Sequence, residues 1–403
     1  MRQTTLTLST VLFSLLLAAS CRGTEATPPE EGGGDMHEVV EGNTAFAVDL
    51  YKQLRGGEGN LFFSPYSVSL ALGMTYGGAR GNTAEEMAAA LHFPANHEQL
   101  HPALERLNRK LAETATETGQ KLEIANGLCL TGGDVSPEYK KLLQERYDAE
   151  LFRGDVDVIN AWVDEKTHGK IEKILEQLSA NSVCVLLNAI YFKGLWENQF
   201  DEKQTRDAPF MMSPDKKVTV PLMHQKCELK VLRKEGFQAA SLPYKGERMS
   251  MVILLPDEVT GLPALEKQLT EQNLRQWLAE LDNTVANEID VYLPKYKLET
   301  DYDLVDLFKT LGMQNAFKPE HADFQGMGWP KGDLWISQIK HKAFVEVNEE
   351  GTEAAAATAV EMITKAAITP PPFRADHPFL FLIRDNQTGA VLFLGRLIDP
   401  TAQ

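Results

Sequence analysis

Two stretches of this sequence carry residue types that could do chemistry. The first is His97-Glu98-Gln99-Leu100-His101. Histidines four apart with a glutamate beside the first are the pattern of a helix-borne zinc hydrolase, in which both imidazoles hold the metal and the carboxylate acts as base. That chemistry needs one helix running through both histidines. Pro102 follows directly, and a proline there clashes with the preceding turn of a helix begun at Asn96. The sequence therefore predicts a helix that starts near Pro102, both histidines in a loop, and no metal site. The glycines of Gly77-Gly78-Ala79-Arg80-Gly81 lack the lysine of a phosphate-binding loop. No nucleophile stands in a pattern with a base, so the chain does not read as an enzyme. Cys129, Cys184 and Cys227 stand apart without CxxC spacing and form no metal framework. Cys129 and Cys184 sit in apolar runs and are expected to be buried, unpaired small hydrophobes.

The second stretch runs from Gly351 to Ile368 and is followed by Pro370-Pro371-Pro372. It joins a strand-like segment at 344–347 to another at 379–383. Connections this long are usually functional or disordered. Its first half alternates as a strand does: Thr352, Ala354, Ala356, Thr358, Val360 and Met362 point one way, and Glu353, Ala355, Ala357, Ala359 and Glu361 the other. The first set has no charge and begins with small residues. Such a segment could enter a sheet with one face buried and one wet. By itself it reads equally as an alanine-rich linker or a surface helix, since alanine is the best helix former.

The elements that must hold this loop are helical first and extended later. Thr44 to Leu54 has helical spacing. Ser64-Pro65 reads as a cap and first turn, and Thr83 with Glu86 as a capping box. Further helices are expected near 102–116, 136–147, 158–167 and 301–311. The run Ser182–Tyr191 predicts a central strand buried on both faces. Strands are expected at 218–223, 228–233, 238–242, 249–255 and 288–293, and a buried hairpin at 379–383 and 391–396. This order implies an α+β fold in one large domain.

The 403 residues carry a formal net charge of −17, which disfavours nucleic acid and anionic surfaces as partners. Arg106, Arg109 and Lys110 cluster on one expected helix, but acidic neighbours make a solvated face of it. At the start, Arg2 and the apolar run Val11–Leu17 have the layout of a signal peptide over 1–21, too short to span a bilayer. Small residues before Cys21 resemble a bacterial lipobox, with Ala18 where a larger aliphatic is usual. Cys21 would then be the lipidated, membrane-anchoring terminus. Plain secretion is the alternative. Residues 22–37 read as a Gly/Pro/acidic tether.

Around the loop, Glu349-Glu350-Gly351-Thr352-Glu353-Ala354-Ala355-Ala356-Ala357-Thr358 resembles the hinge of inhibitory serpins. Asn60–Ser67, Gly78–Thr83, Asn188–Trp196, Leu293-Pro294-Lys295-Tyr296, His341-Lys342-Ala343 and Asp376–Phe381 resemble serpin motifs, in family order, over about 38–400. The resemblance implies a serpin fold over 38–403, with three β-sheets, eight or nine helices and an exposed reactive-centre loop at about 349–372. It also implies a monomeric suicide inhibitor that needs no cofactor. The target serine protease attacks the bait bond, forms an acyl-enzyme, and is trapped when the hinge inserts into the large sheet. Family bait bonds lie about fourteen residues past the hinge glycine, which gives Lys365–Ala366 and a trypsin-like target with a carboxylate in its primary pocket. Arg374 lies after the prolines, too near the final hairpin. The resemblance assigns Ser64, Ser67, Asn188 and His341 to a shutter under the central strands, and Trp196, Lys295 and Glu349 to the breach where the loop enters. A non-inhibitory family member, acting as a binding or chaperone protein, is the alternative, but such members usually carry bulky, charged or proline residues in the hinge.

Overall fold

The computed structural model describes residues 34–402, except 95, 119, 179 and 353–369. Helix α1 (Met36–Leu54) starts earlier than its apolar spacing, because Asp35 caps it by accepting the His37 N–H at 2.8 Å. After β1 (Leu61–Phe63), α2 (Pro65–Gly78) starts at Ser64, whose hydroxyl accepts the Ser67 N–H at 3.0 Å. In α3 (Gly81–Leu91) the expected capping box does not form. The helix begins two residues before Thr83, and the two side chains bind elsewhere. Thr83 accepts from the Asp323 N–H at 3.0 Å, and Glu86 from the N–H groups of Gln314 and Asn315 at 2.7 and 2.6 Å.

Helix α4 (His97–Thr118) corrects the reading of Pro102. The helix runs through both histidines, with the proline in its second turn. Asn96 caps it by accepting the Glu98 N–H at 2.9 Å. The proline this close to the start forgoes only its own bond to the preceding turn, and the apolar face of the helix, with Leu100, Ala103, Leu104 and Leu107 buried, outweighs that loss. His101 points inward, its Nδ1 2.6 Å from the Tyr147 hydroxyl. Among the described residues no three metal-ligating side chains meet.

There follow β2 (Lys121–Leu130), α5 (Pro137–Tyr147), β3 (Glu150–Arg153), α6 (Val156–Lys166), β4 (Cys184–Leu195), β5 (Arg206–Ser213), β6 (Lys216–Lys234), β7 (Phe237–Pro243) and β8 (Met249–Pro256). Next come α7 (Leu262–Gln268), α8 (Glu271–Asp282), β9 (Asn287–Pro294), β10 (Tyr296–Asp303), α9 (Val305–Thr310), β11 (Lys340–Val347), β12 (Gly351–Thr352), β13 (Phe373–Arg374), β14 (Phe379–Asp385) and β15 (Val391–Leu397). The helix expected over 301–311 is only α9, because Tyr296 to Asp303 alternate as a strand along β11. The two strands expected at 218–223 and 228–233 are one, β6.

The central sheet has the order β10-β11-β12-β4-β2-β3. The remaining strands follow β1-β15-β14-β8-β7-β6-β9-β13, with β5 also on β6. β6 serves two sheets: it pairs β5 and β9 over residues 216–229 and β7 over 230–234. Three sheets result. The hairpin β14–β15 is buried throughout beside β8, and Phe62 stacks on Phe381 and Phe393.

Candidate functional site: the hinge and the open central sheet

β11 ends at Val347 and the chain turns back at once. The Asn348 side chain accepts the N–H groups of Glu350 and Gly351 at 3.1 and 3.3 Å, and the Asn348 N–H reaches the Gly351 carbonyl at 3.0 Å. Gly351 and Thr352 then form β12, antiparallel to both neighbours, with Thr352 opposite Val347 and Gly194, and Gly351 opposite Leu195. Glycine is required at 351 by close approach, since a Cβ there would strike the Gly194 carbonyl oxygen. Thr352 is buried, its hydroxyl 2.7 Å from that of Tyr244. Tyr244 stacks on Trp196 at 4.7 Å. Trp196 donates its indole N–H to the Asn348 carbonyl at 3.0 Å and its backbone N–H to the Glu350 carbonyl at 2.8 Å. Glu349 is buried, 2.7 Å from the Lys295 ammonium, and accepts from the Thr205 hydroxyl at 2.8 Å. Burial alone would raise its pKa, but Lys295 and Thr205 outweigh that and hold the carboxyl below its ordinary value. Trp196, Lys295 and Glu349, the residues expected at the breach, therefore lie at one place. Tyr244, Asn348 and Thr205 belong there too, and no local pattern in the sequence singles them out.

Beyond this two-residue strand the sheet is open. β4 and β11 flank a cavity of about 180 Å³. Helix α2 underlies it through Ser67, Ala71 and Thr75, and Ile171, Ile174 and Leu178, in the coil after α6, cover it. The expectation of a strand buried on both faces needs correction. Cys184, Val185, Leu186, Asn188 and Ile190 of β4 are only half-buried, because their neighbour on one side is missing. Cys184 is half-buried for the same reason, whereas Cys129 is buried as expected, and both are free thiols.

Ser64, Ser67, Asn188 and His341, the residues expected in the shutter, are joined by hydrogen bonds. The Ser64 N–H donates to His341 Nε2 at 2.9 Å, and its hydroxyl donates to the Leu392 carbonyl at 2.7 Å. Ser67 donates to Asn188 Oδ1, and Asn188 donates to Asn126 Oδ1 at 2.8 Å. This chain of bonds ties α2 to β11 on one side of the gap and to β4 and β2 on the other. Burial lowers the His341 pKa to about 4, against a small opposing pull from Asp301, so the ring is neutral and accepts at Nε2.

The far end of the loop is held by β13, parallel to β9 with Arg374 opposite Tyr292. The Arg374 guanidinium lies 4.6 Å from the Tyr292 ring centre and pairs with Asp376 at 2.6 Å. Arg374 is thus built into a sheet. Glu353, Ala354, Ala355, Ala356, Ala357, Thr358, Lys365 and Ala366, and Cys21 at the other end of the chain, lie outside the described residues.

A family model described as Serpin (serine protease inhibitor) matches residues 41–400. Serpin B8 of Homo sapiens is 40% identical over 382 residues, covering 91% of this chain and all of that protein. The leukocyte elastase inhibitor of Equus caballus is 39% identical over 387 residues with the same coverage. Among solved structures, Serpin48, described as a highly specific serpin in the insect Tenebrio molitor, is 32% identical with a TM-score of 0.79, over 90% of this chain and 98% of that one. The thermophilic serpin tengpin in its native state is 30% identical with a TM-score of 0.80, over 89% and 94%. Motifs, fold and hinge thus agree with sequence relatives that span nearly the whole molecule, and the chain belongs to the serpin family of serine protease inhibitors.

Proposed function

We propose that this serpin is an irreversible suicide inhibitor of trypsin-like serine proteases, cut between Lys365 and Ala366. The observation that carries the reading is the register of β12. Each residue added after Thr352 advances one position toward lower numbers on both neighbours. Thr358 would then fall between Asn188 and His341, the two shutter residues that face each other across the gap. Met362 would fall opposite Cys184, the first residue of β4. The inserted strand would run from Gly351 to Met362, and Lys365 would emerge just past the end of the sheet.

The face is right as well as the length. Residues directly opposite share a face of a sheet. His341, Ala343, Val345 and Val347 are the buried row of β11, and their partners would be Thr358, Ala356, Ala354 and Thr352. The charged Glu353 and Glu361 would fall on the other face. New ladder bonds roughly offset the entropy of ordering the strand. Filling the cavity and burying the half-exposed apolar side chains of β4 supply the drive. The uncleaved form is then held by a kinetic barrier.

Lysine at the cut favours a protease with a carboxylate at the base of its primary pocket. Residues 1–21 act as an export signal, with Cys21 as lipid anchor or simply the end of a cleaved leader, and the residues from 22 act as a tether that ends before 37, because Asp35 caps α1 and the helix begins at Met36. The family match begins at residue 41, after both segments. Incubation with trypsin should give an SDS-stable covalent complex and a released C-terminal fragment beginning at Ala366. Cleavage without a complex would replace this reading by the non-inhibitory one.

A further inference from the structure

The far anchor of the loop is short and leans on side chains. β13 is two residues long and lies at the end of its sheet, paired with β9. One further backbone bond, from the Ala375 N–H to the Tyr292 carbonyl at 3.0 Å, extends that pairing. Past it, the Asp376 carboxylate takes Arg374 on one oxygen at 2.6 Å and His377 Nδ1 on the other at 3.1 Å. The opposite ring nitrogen, Nε2, lies 2.8 Å from the Pro256 carbonyl at the end of β8. His377 is buried. Neither facing group brings a proton of its own: a carbonyl oxygen only accepts, and so does an ionised carboxylate. Both ring nitrogens must therefore donate, which only the imidazolium can do. A neutral ring bonded to Pro256 would turn a lone pair toward Asp376.

We propose that His377 is a proton-dependent lock on β13: as an imidazolium it ties the Arg374–Asp376 pair to the end of β8, and on losing its proton it lets go of one side, so that the far anchor weakens as pH rises. His377 is thus a positioning residue. The charged groups that act on the ring are Asp376 itself and Glu258, just past β8, while Arg374 meets the far side of Asp376. Burial disfavours the proton. The bonds to Asp376 and Pro256 and the charges of Asp376 and Glu258 outweigh it and hold the pKa above the ordinary 6.5. The lock is therefore complete below pH 6.5 and is lost as pH rises through the folded value. This is opposite in sense to His341, whose low pKa makes acid the disruptive condition. A hydrogen bond to a charged group is worth a factor of about ten or more in an equilibrium, so β13 should open about tenfold more often once the ring is neutral. The consequence for inhibition rests on the insertion reading given above: a loop released at its far end can enter the central sheet uncut.

The test follows hydrogen exchange of the full chain by mass spectrometry, in the peptide that carries β13. It runs from about pH 5.5 to about pH 9, with each rate divided by the intrinsic rate at that pH. In the parent, protection should be level up to about pH 6.5 and then fall about tenfold. His377→Gln, which can donate but never carries a charge, should be level throughout at the parent's alkaline value. Glu258→Lys, at an exposed position, should move the fall to lower pH and leave protection at the acid end as in the parent. A level profile in the parent, the parent's slope persisting in His377→Gln, or an unmoved midpoint in Glu258→Lys would overturn the lock. The half-life of trypsin inhibition on storage is a separate readout, expected to shorten over the same pH range. A pH-dependent anchor in a protein that never inhibits trypsin would uphold the lock and remove the inhibitory reading.

Discussion

Replacing Thr352 by glutamate tests insertion at its first step. Glutamate is chosen because arginine would create a second site for trypsin. Thr352 is 3% exposed and bonded to Tyr244 beneath stacked Trp196, so any side chain in its place is enclosed. A carboxylate there escapes charge burial only by taking up a proton. Burial of this kind raises a carboxyl pKa by about 3 units, and at 1.36 kcal/mol per unit the cost near neutral pH is about 4 kcal/mol. Loss of the threonine hydrogen bond adds about 1 kcal/mol. In the uncleaved protein the two residues of β12 can swing out and evade most of this cost, so native stability should fall by only about 1–2 kcal/mol. In the inserted strand no such escape exists. If the cost is felt in the barrier, insertion slows by about a thousandfold while the acyl-enzyme hydrolyses at its usual rate. The assay is the molar ratio of inhibitor needed to silence trypsin, with a gel for the covalent complex. The parent should need close to one equivalent and Thr352→Glu more than about ten, both releasing the fragment that begins at Ala366. A covalent complex at the parent's yield would refute the claim that position 352 is buried as the loop enters.

Lys365→Glu should abolish trypsin inhibition in the same titration, and retained inhibition would move the bait bond elsewhere. His341 should make stability depend on pH. Its folded pKa of about 4 lies below the ordinary 6.5, so its contribution is complete above pH 6.5 and is lost as pH falls toward 4, by about 3 kcal/mol in all. Denaturant melts between pH 7 and 4 should show that slope, and His341→Gln should flatten it. Glu349→Gln should cost about 1.5–3 kcal/mol by removing the charge-assisted contacts to Lys295 and Thr205. Because its folded pKa is lowered, the Glu349 contribution is complete above the ordinary carboxyl range and lost as pH falls through the folded value, so parent and variant should converge in acid.

Local signals were legible where one element settles them. Ser64-Pro65 begins α2 because a cap and a first-turn proline need nothing beyond their own turn. The hairpin runs at 379–383 and 391–395 carry no charge on either face and can only be core. Ser64 and His341 meet although no spacing links them across 277 positions. Other signals were overruled by partners distant in sequence. Thr83 and Glu86 have the spacing of a capping box, but backbone groups at 314–323 claim both side chains. The acidic 296–303 stretch hides its strand because one face of β10 meets solvent and only Tyr296 and Leu298 are deeply buried. Thr270 as cap and the helical spacing of the buried Leu274, Trp277, Leu278 and Leu281 are a local signal for α8. The half-burial of β4 could not be read at all, because an apolar run says that a strand wants neighbours and not whether both are present.

The order of the chain adds a constraint from biosynthesis. The segment proposed as the bait lies in sequence between Thr352, already committed to the central sheet, and Phe373, committed to β9 and followed by β14 and β15. A ribosome releases the loop before the segment that restrains its far end. Until β13, β14 and β15 dock, an open slot and the strand that fits it belong to one nascent molecule, separated by a single turn at Asn348. On the insertion mechanism proposed here, the active product forms only if the last hairpin docks faster than the loop enters the slot. The C-terminal residues are thus a timing element of folding: a truncation that merely delays their docking would yield a well-folded protein with its bait already spent.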